Sequence, residues 1–517
     1  MELSKEQQIA FDKYIQGHNI FITGPGGSGK SALIRLINDH AFNHFKGIYV
    51  TAMTGCAAVL LNCKAKTLHS WAGIGLGNGT IEQLVTKIKK NKFAKALWKS
   101  TDILVVDEVS MLSLKLFDVL NAIGKAVRNN PNPFGGIQLI FSGDFFQLPP
   151  VGDKDEPDTQ RFCFESEDWN TVFRPHCQIQ LIKIFRQTDE IYSTILNQIR
   201  EGKIRRKSND LILQYVGRPF AANLVAEPTK LFPTRNKVEN INNTKMCALQ
   251  GDEKEFKIKY LKDLEMSKAD REARMNFTDK EIQLELEFLS SNLICDKEMK
   301  LKIGAQVMCV VNIQSDTGLE VCNGSQGIVT DFCEITGCPR VKFNNGSERI
   351  MTRHVWASDK IPGIGVSQVP LILAWALTIH KSQGATLDAA EIDVGSGIFE
   401  CGQTYVALSR VKSLQGLYLT SFDANRIRIN KKVKDYYEAL NLYQAENIDT
   451  IQTVPLAIAE AVHMAEAVLI TNEETISNPF SNYRYIEPQS QAELAEENYE
   501  EETKSDINNE IRVIRLK

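Results

Sequence analysis

The chain has 517 residues, of which 43 % are hydrophobic and 24 % charged. That balance suits two to four globular domains and excludes a disordered or fibrous protein; no run of 18 apolar residues occurs, which excludes a membrane-spanning helix. The formal charge of −4 divides unevenly: residues 445–517 carry 15 acidic against 5 basic side chains, a tail of −10 on a mildly basic body of +6.

The 11 cysteines include no CxxC pair, and the nearest two, Cys333 and Cys338, have four residues between them. This spacing argues against a structural zinc site and for reduced thiols in a reducing compartment. The opening MELSKEQQ has neither an apolar signal region nor an Arg-rich leader, so a cytoplasmic or nuclear location is expected.

In chain order, residues 19–23 (NIFIT) predict a strand that runs into a glycine loop. A helical pattern comes next, with Leu33, Ile34, Leu36 and Ile37 on one side. Further strands are expected at 48–52, 103–106 and 138–141. The alternation reads as a parallel sheet covered by helices on both faces. Prolines at 149, 150 and 157 close this unit near residue 175.

Residues 253–300, with interleaved Glu and Lys, read as helical. Short alternating strands at 306–311, 327–332 and 340–343, separated by glycine turns, suggest a small antiparallel barrel. Strand-like runs at 230–232, 371–376, 390–394 and 416–420 suggest a second α/β domain. Beyond 444, Pro455 opens a helix-like stretch to Ile470, and 487–510 reads as disordered.

The loop Gly24-Pro25-Gly26-Gly27-Ser28-Gly29-Lys30-Ser31 fits GxxxxGK[ST] between a strand and a helix. Glycines let backbone N–H groups approach phosphate oxygens, and the N-terminus of the next helix adds its positive dipole end. Lys30 is expected at the β- and γ-phosphates and the Ser31 hydroxyl on Mg²⁺. The run 104–108 ends in Asp107 and Glu108 at the strand edge where α/β proteins bind ligands. Asp107 is the candidate for Mg²⁺, and Glu108 for orienting and deprotonating the attacking water. In the block 141–150 (FSGDFFQLPP), Gln147 is the candidate γ-phosphate sensor. Phe145, Phe146 and Pro149-Pro150 either form an apolar surface for stacking bases or belong to the core.

The ordered set of motifs closely resembles the petite-integration-frequency (PIF) family of DNA helicases in superfamily 1B. The matching segments are LSKEQ (3–7), GPGGSGKS (24–31), TAMTGCAA (51–58), TLHSWAGIG (67–75), VVDEVSM (105–111), FGGIQLIFSGDFFQLPPV (134–151), CFESEDW (163–169), LIKIFRQ (181–187), NGSQGIV (323–329), LAWALTIHKSQGATLD (373–388) and QTYVALSRV (403–411). The likeness covers residues 1–425; the phosphate loop is shared by many ATPases, whereas FSGDFFQLPP and TIHKSQG are specific.

The resemblance implies an α/β fold with two RecA-like parallel-sheet motor domains. The expected divisions are 1–175 (with a wedge element at 72–98), 176–300 with a helical insert, an SH3-like insertion at 301–368, the rest of the second motor at 369–444, and the acidic tail at 445–517. It implies an ATP- and Mg²⁺-dependent DNA helicase moving 5′ to 3′ in replication, repair or recombination, acting as a monomer on single strands and duplex junctions. Gln7 would read adenine, with Gln8 beside it leaving a one-residue ambiguity. Thr51, Thr54, His69, Thr378, His380 and Lys381 would line the single-stranded DNA track, and Gln383 and Gly384 would join that track to the nucleotide.

Arg186 and Arg410 would be arginine fingers: a guanidinium from the opposite domain stabilises γ-phosphate charge only when the cleft closes. The plain alternative for each is a surface salt bridge. Lys87, Lys89, Lys90, Lys92 and Lys95 fit either phosphate contacts or a solvated face. A RecD-like or RNA-directed translocase is the alternative enzyme. A non-catalytic ATP-gated binding module would lack Glu108 or Arg410, and both are present. The tail is a partner-binding peptide, a DNA mimic or a solubilising segment. The first motif starts at residue 3, so no counterpart of the family's long N-terminal extension is expected.

Overall fold

The computed structural model describes residues 3–446, apart from 62, 64, 76, 222–225, 276, 312, 314–320, 322–323 and 359–360. The acidic segment and the helix expected from Pro455 lie outside the described residues.

Six parallel strands form the first sheet, in the order Lys66–Thr67, Ile48–Ala52, Ile103–Asp107, Gln138–Gly143, Ile20–Thr23, Gln178–Gln180. Their apolar runs alternate between two cores. Ile20, Ile22, Ile103, Val105 and Ile140 join the cluster under the helix Lys30–Asn43. Phe21, Leu104, Val106, Leu139 and Phe141 join the opposite cluster, with Phe117, Trp169 and Phe173. A strand buried on both faces has no polar side, which is why these segments read as unbroken apolar runs. Strands Ile20–Thr23, Ile103–Asp107 and Gln138–Gly143 end at one edge, delivering the phosphate loop, the acidic pair and the FSGDFFQLPP segment together.

A second parallel sheet has the order Ala376–Thr378, Thr229–Phe232, Ala390–Val394, Leu417–Phe422. The run 371–376, expected as one strand, is two. Leu371–Leu373 pairs antiparallel with Gln306–Cys309, while Ala376–Thr378 joins the parallel sheet. The former belongs to a five-stranded antiparallel sheet continuing through Gln326–Phe332, Pro339–Phe343 and Glu348–Ile350. The helical reading of 253–300 is corrected in part. Helices Lys268–Arg274 and Asp279–Asn292 are flanked by strands Lys254–Lys257, Lys259–Leu261 and Glu298–Leu301. Lys254–Lys257 turns only Phe256 inward, leaving the charges in solvent, so its composition looks helical although it pairs as a ribbon.

Residues 81–100 form two helices, Ile81–Lys90 and Lys92–Ser100. Their apolar stripe (Leu84, Ile88, Ala94, Trp98) packs on Trp71. Lys87 donates to the Ile74 carbonyl at 2.9 Å; Lys89, Lys90, Lys92 and Lys95 are exposed. The last described helix, Lys431–Glu446, returns to the first sheet and buries Val433, Tyr437 and Leu440 in its core. Among the described residues no helix is long and apolar enough to cross a membrane.

Candidate active site

The phosphate loop leaves strand Ile20–Thr23 and ends where Gly29, at φ +86°, caps the helix Lys30–Asn43. Gly27 (φ +84°) is backed so closely by Arg186 that a Cβ would lie 2.4 Å from that residue's own Cβ; only glycine fits both the angle and the space. Lys30 Nζ donates to the carbonyls of Gly24 (2.7 Å) and Pro25 (3.0 Å). Burial lowers its pKa against the pull of Asp144, Glu108 and Asp107. Gln7 is buried and sends Nε2 to the Gly29 carbonyl at 3.4 Å, whereas Gln8 is exposed and bonded to Asp12. Of the two, Gln7 is the one that touches the phosphate loop.

Asp107 ends its strand buried, and burial together with the neighbouring Glu108 charge pushes its pKa up to about 7. Glu108 sits at φ +57°, a left-handed conformation costing about 1–2 kcal/mol for a side-chain-bearing residue. Local strain of this kind is retained where the surroundings dictate it. The Glu108 side chain is held from the other sheet: Gln383 Nε2 donates to Glu108 Oε2 at 3.1 Å across 275 residues of sequence. Gly384 is next in the chain, at φ +82°. Ser31 is exposed at the start of its helix.

Arg410 is buried on the helix Gln403–Leu408 side of the loop. Its Nε donates to the Val406 carbonyl and its Nη2 to Ser409 Oγ, both at 2.8 Å. Burial, then repulsion from Arg186, brings its pKa down to about 9. Arg186 donates to the Ser409 carbonyl at 3.2 Å and is likewise lowered by burial. Neither arginine is the exposed salt bridge that was the plain alternative. Three cations thus converge on the loop with their charged forms disfavoured by burial, and Gln147 Oε1 is buried with no hydrogen-bond partner among the described residues. The three cations fit a polyphosphate, to which Gln147 can offer only its amide N–H.

Asp144, within FSGDFFQLPP, accepts a bidentate pair from Arg200 at 2.9 and 2.8 Å. The Arg200 guanidinium also lies over the rings of Phe146 and Tyr437. Sequence reasoning missed Arg200 and Tyr437, because their partners lie 56 and 293 residues away. It also missed Tyr405 and Ser409, which stand within the QTYVALSRV block beside Arg410.

Two expected DNA contacts are corrected. Phe145 is 1 % exposed and packs on Phe21, Trp169, Phe164 and Tyr436; it is core, with no face left for a base, and Phe146 stacks on Tyr437. Thr51 is wholly buried, its hydroxyl donating to the Val105 carbonyl at 2.7 Å. The other candidates stay accessible. His69 lines a cleft of about 440 Å³ with Met53, Met111, Lys115, Pro150 and Val151. Thr54 is half-buried and accepts from the Ala57 N–H; Pro149 is half-buried. Thr378 accepts from the Lys381 N–H, His380 is half-buried and Lys381 exposed. Burial lowers the pKa of both His69 and His380.

The model of PIF1-like helicases matches residues 2–210, and that of the DNA helicase Pif1 2B domain matches 286–332. A crystal structure of Pif1 helicase from Candida albicans is 34 % identical, with a TM-score of 0.66, over 85 % of this chain and 100 % of that one. The chain belongs to the PIF1-like helicase family. Another member of the PIF1-like helicases, Bacteroides sp Pif1 in complex with ADP-AlF4, is 28 % identical with a TM-score of 0.66, over 86 % of this chain and 98 % of that one. The ATP-dependent DNA helicase PIF1 of Emericella nidulans is 36 % identical over 84 % of this chain. The chain spans 62 % of that relative's length.

Proposed function

We propose that the chain is an ATP-dependent DNA helicase that moves 5′ to 3′ on single-stranded DNA and opens duplex, hybrid or structured DNA. The observation that carries this reading is the Gln383–Glu108 hydrogen bond. It ties the TIHKSQG block of one parallel sheet to the carboxylate at the edge of the other, so DNA held by the first is felt at the reacting end of the second. The named relatives and the ADP-AlF4 complex of the Bacteroides neighbour support it.

In this reading bound ATP supplies the phosphoanhydride whose hydrolysis drives the motor. Gln383 holds Glu108 Oε2, leaving Oε1 to accept a proton from the attacking water. Lys30, Arg186 and Arg410 carry the positive charge that meets the phosphates, and the Gln147 amide N–H donates to the γ-phosphate. Gln7 reads the adenine edge. Ser31 and Asp107 hold Mg²⁺, which supplies further charge neutralisation when bound. Thr54, His69, Pro149, Thr378, His380 and Lys381 line the DNA track.

The motor domains are 1–175 and 176–444, interrupted by an SH3-like insertion at 301–368, with the wedge at 72–98. Partners are single strands and duplex junctions, with replication or repair proteins meeting the acidic tail, in the nucleus or cytoplasm. Replacing Lys30 with Ala abolishes hydrolysis while preserving some DNA binding. Strand displacement on 5′-tailed and 3′-tailed duplexes is the test. Full unwinding by that variant, or equal unwinding of the two substrates by the parent chain, contradicts the reading.

A further inference from the structure

Tyr405 stands on the helix Gln403–Leu408 directly over the phosphate loop. The Gly26 N–H donates to its hydroxyl at 2.8 Å, and the phenol is 3 % exposed. The position of a Cβ at Gly26 lies 3.6 Å from the Tyr405 hydroxyl, Ser409 Oγ and Arg410 Nη2 alike, so three polar groups close around one point of the loop. Backbone N–H groups of such a loop are the donors that phosphate oxygens accept. A single N–H engaged at 2.8 Å serves one acceptor at full strength. Phenol oxygen and phosphate oxygen are therefore rivals for it.

The start of the same helix touches the sensor segment. Gly402, at φ +72°, approaches the carbonyls of Phe146 and Gln147 so closely that a Cβ would lie 2.4 and 2.5 Å from them. Gln403 Nε2, Thr404 Oγ1 and Gln147 Oε1 are all buried without a hydrogen-bond partner among the described residues. Buried polar atoms in that state are costly, and two of them, Gln403 Nε2 and Thr404 Oγ1, stand in the first turn of the helix next to Gly402.

We infer that the Tyr405 hydroxyl is a built-in competitor for the phosphate loop: it takes the Gly26 N–H while the helix Gln403–Leu408 is seated, and it yields that donor to a nucleotide phosphate oxygen. Arg410 lies five residues after Tyr405, just past the end of that helix, and its Nε donates to the helix's Val406 carbonyl at 2.8 Å. Release of the phenol and adjustment of the guanidinium are then one movement, braced at Gly402 against Gln147. This rests on the nucleotide site proposed above. A competitor lowers apparent affinity by the fraction of molecules in which it covers the site. A neutral hydrogen bond of ordinary net strength corresponds to about a two- to tenfold factor.

The test is Tyr405→Phe in the full chain, titrated with the fluorescent probe N-methylanthraniloyl-ADP and Mg²⁺, with association monitored by stopped flow. Removing the hydroxyl alone lowers the probe's Kd about two- to tenfold and speeds association. Tyr405→Met, which removes ring and hydroxyl, shifts Kd in the same direction, so the result does not hang on one variant. A melting curve in the absence of probe checks that each is folded. An unchanged or raised Kd in both variants overturns the inference. A parent chain that fails to bind the probe instead refutes the nucleotide site itself, which separates the two failures.

Discussion

Replacing Arg200 by Met probes the buried pair beside the phosphate loop. The Arg200 and Asp144 side chains are 6 % and 0 % exposed, and two parallel hydrogen bonds join them. Removing the guanidinium leaves the buried Asp144 carboxylate with only the Phe146 N–H, the Tyr437 hydroxyl at 3.5 Å and, without a direct bond, the charge of Lys30. Breaking such a buried pair costs about 3–5 kcal/mol. Asp144 also positions Phe146 and Gln147: its Oδ1 accepts from the Phe146 N–H and its carbonyl from the Gln147 N–H. Urea unfolding monitored by tryptophan fluorescence is suited to the measurement, because Trp71, Trp98 and Trp169 all lie in the adjoining core. Asp144→Asn and the double variant complete a cycle. The double variant is expected to lose at least 2 kcal/mol less than the two single losses combined, on the order of the coupling seen for residues in direct contact. A loss for Arg200→Met below about 1 kcal/mol, or a strictly additive double variant, refutes the argument.

Two further outcomes are expected. Arg410→Ala lowers the hydrolysis rate by roughly 10³–10⁵, while nucleotide affinity, measured by probe titration, changes far less; equal losses in both contradict the finger. The raised Asp107 pKa makes the folded state hold a proton that the unfolded chain releases at about pH 4. Its stabilising contribution is complete below that value and is lost as pH rises to about 7. The pH dependence of chemical unfolding between pH 5 and 8 is therefore shallower in Asp107→Asn, and an unaltered slope there removes Asp107 from the account.

The features legible in the sequence are those whose residues find their partners nearby. The phosphate loop, the acidic pair and the strands feeding them are local patterns, since a doubly buried parallel strand is an unbroken apolar run. Strand Lys66–Thr67 has two residues and no apolar run, so nothing local marks it. The segment 371–376 looks like one strand because each half is apolar, yet the chain crosses from one sheet to another within it. Phe145 sits amid polar motif residues, and its burial depends on Tyr436 and Tyr437, almost 300 positions later. The Gln7–Gly29 contact joins positions 22 residues apart. The Gln383–Glu108 contact and the Tyr405–Gly26 contact join distant blocks, and no spacing rule within either block announces them.

The helix Lys431–Glu446 has a topological consequence. The chain leaves the first sheet after Gln180, builds the second sheet, and comes home to the first through Tyr437 and Thr23. The second parallel sheet is thus an excursion clasped at both ends, held by two crossings of the polypeptide instead of a single tether. Cutting one crossing leaves the halves still fastened by the other.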